Sequence, residues 1–129
     1  MRAATLLQKA IIGLLEGEPA LEDLSVFDAP PVRSTGPNAI VEDPVLRAFD
    51  GSQVTGRIGT LAISFADTGE IPTRLRVLMA IAEETVDQLT GLSGGWRIGG
   101  IALARSRLAR TKDGWLGRSE WAVRLFRVN

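Results

Sequence analysis

Apolar and polar residues at the start of the chain recur with helical spacing. Ala3, Leu6, Leu7, Ala10, Ile11, Leu14 and Leu15 fall on one side, with Gln8, Lys9 and Glu16 on the other. This predicts an amphipathic helix of about four turns over residues 3–16, ended by Gly17 and Pro19. Leu24–Phe27 reads as a short strand. Asp28-Ala29-Pro30-Pro31 cannot extend it, because consecutive prolines remove backbone donors and fix φ. A loop is expected from Val32 to Asn38, then a strand over Ala39–Asp43 that Pro44 stops. Residues 44–56 carry Asp50-Gly51 and few packing side chains, and read as an extended loop or the tip of a long hairpin.

In the next segment the period is two. Over Arg57–Ala66, Leu61, Ile63 and Phe65 alternate with Thr60, Ala62 and Ser64, the mark of a strand with one face on a core. After the Asp67-Thr68-Gly69-Glu70 turn and Pro72, a second helix is predicted from Thr73 to about Leu89. Leu75, Leu78, Met79, Ala82, Val86 and Leu89 form its stripe, and Glu83, Glu84 and Asp87 an acidic outer face. Five glycines around Trp96 mark a bend over residues 91–100. A strand at Ile101–Leu108 alternates Ile101, Leu103, Arg105 and Arg107 against Ala102, Ala104, Ser106 and Leu108. Asp113-Gly114 turns the chain, and Arg118–Val128 returns with Trp121, Val123 and Leu125 on one face. These elements predict an α/β (α+β) fold, a small mixed or antiparallel sheet of four or five strands with two helices on one face.

The length of 129 residues and the 45% hydrophobic content suit one domain, 1–129, with a core large enough to need no staples. Cysteine, histidine and tyrosine are all absent. Disulfides, thiolate catalysis, Ser/His machinery and the commonest transition-metal ligands are thereby excluded. No apolar run approaches the roughly 20 residues of a membrane span, and the N-terminus lacks a signal-peptide pattern. A cytoplasmic protein with no membrane partner is expected. The formal net charge of zero hides a segregation: residues 1–96 carry a net of −6 and residues 97–129 a net of +6. Opposite poles favour head-to-tail association of identical copies, unless folding interleaves the two segments.

Three constellations invite a chemical reading. Gly94-Gly95-Trp96-Arg97-Ile98-Gly99-Gly100 lacks the Lys-Ser/Thr of a Walker loop, and its order, helix before and strand after, reverses that of a dinucleotide fingerprint. It reads as structural glycine. Adjacent Glu83 and Glu84 point about 100° apart on a helix, so only Glu83 and Asp87 share a face, and no partner carboxylate converges from another element. A solvated helix surface accounts for them, and no catalytic, cofactor or metal site is expected. The basic set Arg105, Arg107, Arg110, Lys112 and Arg118, with Trp115 and Trp121 nearby, is the serious alternative: basic residues interleaved with aromatics on a hairpin can track a nucleic-acid backbone.

The order of elements supplies a further reading. An N-terminal helix, a strand ending at Val26-Phe27-Asp28-Ala29-Pro30-Pro31, further strands, a helix rich in small and acidic residues, and a Trp/Phe-rich closing hairpin resemble, from about Leu6 to Val128, the tail terminator (tail completion) proteins of long-tailed bacteriophages and gene transfer agents. The resemblance implies a non-enzymatic structural subunit of a hexameric ring. Such a ring ends the tail tube, joins it to the head-side connector and lets DNA pass without sequence recognition, within a virion-like particle assembled in the host cytoplasm. On that reading Arg105, Arg107, Arg110, Lys112 and Arg118 line the lumen or meet a neighbour's acidic face at Glu83, Glu84 and Asp87. Asp50, Gly51, Asp113, Gly114 and Trp115 sit on loops that touch neighbours or the tube. The alternatives are a head-completion or stopper subunit of the same neck, and a small nucleic-acid-binding module.

Overall fold

A computed structural model describes residues 1–31 and 34–129. Of the loop expected after Pro31, Val32 and Arg33 lie outside the described residues. The elements run α1 (Ala3–Glu16), a 3-10 turn (Pro19–Leu21), β1 (Ser25–Phe27), β2 (Asn38–Val41), β3 (Val45–Ala48), β4 (Val54–Thr68), α2 (Thr73–Val86), β5 (Arg97–Arg110) and β6 (Gly114–Val128). They build an α+β fold on one mixed sheet in the order β1-β2-β4-β6-β5, with β3 added to β4 beside β2. Among the described residues only β1 and β2 are parallel, and six strands stand where four or five are expected. The extra one is β3, which turns residues 44–56 into the first arm of a hairpin onto β4, from Val45 opposite Thr60 to Ala48 opposite Arg57.

Period two along the long strands decides where the helices lie. Leu61, Ile63 and Phe65 of β4 pair across from Trp121, Ser119 and Gly117 of β6, and on the other side Val41 and Ala39 of β2 meet Ile63 and Phe65. All of these side chains except glycine are essentially without exposure. Against them pack Leu7, Ile11 and Leu15 of α1 and Leu75, Leu78, Met79, Ala82 and Val86 of α2. A leucine-sized side chain gains about 1.5–3 kcal/mol from full burial, so this layer provides the main drive for folding. Gly117 makes room for it: a Cβ there would run into the Met79 side chain. Gln8, assigned by spacing to the polar side of α1, is buried instead, and its Nε2 donates to the Val41 carbonyl at 2.8 Å. The β2 backbone acceptor just before the Pro44 break is thereby satisfied.

The edge strand β5 departs from simple alternation. Its register against β6 shifts between Ile98 and Gly100 and between Leu103 and Arg105. The second shift, a bulge at Ala104, moves the chain to the other face. Leu103 pairs with Trp121 on the helix side, whereas Arg105 pairs with Glu120 and Arg107 with Arg118 on the open side. The expected common face of Ile101, Leu103, Arg105 and Arg107 is therefore corrected: the two apolar residues face the helices and the two arginines face away.

Candidate functional site

The open face of the sheet carries a line of alternating charge. Glu42, just beyond β2, accepts from Arg118 at 3.0 Å and from the Ser64 hydroxyl. Arg118 also pairs with Glu120, and Glu120 accepts from Arg105 at 3.0 Å. The line crosses the sheet from the end of β2 to the β5 edge because β4 and β6 place Ser64 opposite Arg118 and the bulge places Arg105 opposite Glu120. Arg118 holds the Glu42 carboxyl below the usual carboxylate range, burial opposing it and Ser64 adding to it, and Arg118 is held above its ordinary value in return.

This geometry divides the predicted basic set. Arg105 and Arg118 are neutralised within the chain, while Arg107 lies opposite Arg118 with no ion-pair partner among the described residues. Arg110 is on the helix side, its guanidinium 5.6 Å from the centre of the Trp115 ring. Lys112 and Asp113 are exposed in the β5–β6 turn, where Thr111 N–H donates to the Gly114 carbonyl. A continuous basic track is not formed. The acidic set divides as well: Glu84 and Asp87 are exposed, but Glu83 turns to the sheet and accepts from the Ser119 hydroxyl at 2.6 Å. Asp50 stays in its own hairpin, accepting from Gly56 N–H at 2.9 Å and from Arg57 at 3.2 Å, and Gly51 N–H donates to Val54. The charge segregation of the sequence is partly interleaved by folding, since Glu42 meets Arg118.

Two features lie outside the reach of the sequence. Asp67, at the end of β4, accepts from Arg74 Nε and Nη2 at 2.8 and 2.6 Å and from Thr68 N–H, pinning the first turn of α2 to the sheet. Arg74 depresses the Asp67 carboxyl, against burial. A carboxyl lowered in the fold contributes stability that is fully present above its unfolded value, about 3.9, and lost as pH falls through the folded value. Arg74→Gln is therefore expected to lower the urea midpoint at pH 7, with the gap to the native chain closing towards pH 2. A gap that stays constant with pH contradicts the pairing.

The second is a cleft of about 290 Å³ at the start of α1, walled by Arg2, Leu46, Arg57, Trp96 and Arg127. Trp96, in the predicted glycine bend, is buried between two guanidiniums, Arg127 at 4.9 Å and Arg57 at 5.7 Å from its ring. Its signal in the sequence is only an aromatic beside glycines, because Arg57 and Arg127 come from distant strands. The described residues offer no group of three or more acidic side chains poised to hold a metal ion.

No family model matches this chain, and no curated protein does. Among solved structures it is similar to a chain of the "Virion of native gene transfer agent (GTA) particle", with a TM-score of 0.78 over 98% of this chain and 99% of that one at 17% identity. The two chains share this α+β fold from end to end.

Proposed function

We propose that this chain is a structural component of a virion-like particle of a long-tailed phage or gene transfer agent, in which six copies form the ring that ends the tail tube and joins it to the head-side connector. The observation that carries this reading is the full-length fold shared with a chain of a gene transfer agent virion. The likeness covers 98% of this chain and 99% of that one. The open sheet face supports the same reading. Glu42 and Glu120 interrupt its arginines and pair Arg118 and Arg105, while Arg107 and Arg124 have no ion-pair partner among the described residues; carboxylates so interspersed suit a surface that DNA passes without being gripped.

The ring reading assigns no catalysis to the chain. Its work is mechanical: one surface caps the last ring of tube protein, the other accepts the connector, and the hole admits DNA. Solution assembly tests it. A six-chain species of about 83 kDa, six times the 13.9 kDa chain, is expected by light scattering and is expected to weaken as salt screens intersubunit charge.

A further inference from the structure

Helix α1 is charged against its own dipole. Its first turn has no acidic residue and no side-chain cap, its last turn has no basic residue, and it begins after Arg2 and ends on Glu16. Acidic groups favour helix N-termini and basic groups C-termini, each contributing about 0.3–1 kcal/mol, so both ends of α1 reinforce the macrodipole. The starting end opens into the cleft, where Arg2, Arg57 and Arg127 converge and no carboxylate among the described residues lines the wall. Arg57 is engaged by Asp50, whereas Arg2 and Arg127 have no ion-pair partner among the described residues. At the far end, about 21 Å away at 1.5 Å per residue, the 3-10 turn exposes Glu16, Glu22 and Asp23, with Glu18 half-buried, around the exposed tip Pro19-Ala20.

Resting on the ring reading, we propose that the arginine cleft of one copy receives the acidic turn Glu16–Asp23 of the next. The carboxylates meet Arg2, Arg127 and the open N–H groups of the first helical turn, and Pro19 and Ala20 lie against Leu46 in the cleft wall. Donor and acceptor surfaces are different patches at opposite ends of one rigid helix, so the contact is head-to-tail and repeats until the rotation closes.

Charge exchange tests the contact. Arg2→Glu/Arg127→Glu gives a chain acidic at both ends, and Glu18→Arg/Glu22→Arg a chain basic at both ends. Arg2, Arg127 and Glu22 are exposed, while Glu18 is half-buried and caps the 3-10 turn and Arg127 lies over Trp96, so assembly is read only for variants that keep the native circular dichroism spectrum. Each variant alone is expected to run as a 13.9 kDa chain, and an equimolar mixture to recover the native assembly by alternating around an even-numbered ring. Assembly of either variant alone overturns the proposed contact while leaving the ring reading intact. Failure of the native chain to assemble overturns both. A gel shift with duplex DNA that disappears in Arg2→Glu/Arg127→Glu, with assembly unchanged, reassigns the cleft to phosphate and also overturns the contact.

Discussion

Replacing Trp121 by alanine is expected to cost about 3–5 kcal/mol, the range for removing a large aromatic from a core, and so to consume much of the roughly 5–15 kcal/mol that holds a domain of this size. Trp121 is without exposure at the middle of β6. It is paired with Leu61 of β4 on one side and Leu103 of β5 on the other, beneath the helix layer. Its loss opens a void where the three longest strands meet. The indole N–H is buried with no partner among the described residues, a group that costs about 1–3 kcal/mol to leave unsatisfied. Trp121→Phe, which removes that donor and keeps most of the ring, is therefore expected to lose far less than Trp121→Ala. Urea denaturation of the two variants checks the order; equal losses contradict a packing role for the ring.

Gly59→Ala is expected to release β3 from the sheet. A Cβ at this position would overlap the carbonyl of Val45 and crowd the backbone of Leu46. No flexible side-chain end is available to yield, so the strands must separate. Overpacking of this kind typically costs about 1–3 kcal/mol. The damage is directional, because among the described residues β3 has β4 as its sole strand partner. Amide hydrogen exchange is expected to accelerate at Val45–Ala48 and stay slow at the β4–β6 ladder. Uniform acceleration would show that β3 is part of the central cooperative unit.

The two helices were legible because a 3.6-residue period over 14 residues has no competing interpretation; α1 occupies Ala3–Glu16, the predicted span. The central strands were legible for the corresponding reason, with Leu61, Ile63 and Phe65 alternating cleanly. Strand β3 was not. Its four residues lie between Pro44 and Asp50-Gly51, and Val45 is 76% exposed, so no apolar alternation marks it. The bulge at Ala104 was illegible on different grounds. A one-residue slip leaves no signature in side-chain type, yet it carries every later residue of β5 to the opposite face. That slip moves Arg105 and Arg107 to the open face, opposite Glu120 and Arg118, and brings Arg110 to the side of the Trp115 ring. Ion pairs such as Glu42–Arg118 depend on register between strands 76 residues apart, beyond the reach of any local pattern.

Assembly is the central claim, and electron microscopy of the purified chain, with its mass taken by light scattering on the same sample, tests it most directly. The account predicts a closed six-fold ring with an axial hole and a mass of about 83 kDa, six times that of the 13.9 kDa chain. A chain that stays at 13.9 kDa at every concentration and salt and shifts only on adding DNA would contradict it, and would make the open sheet face a nucleic-acid surface instead.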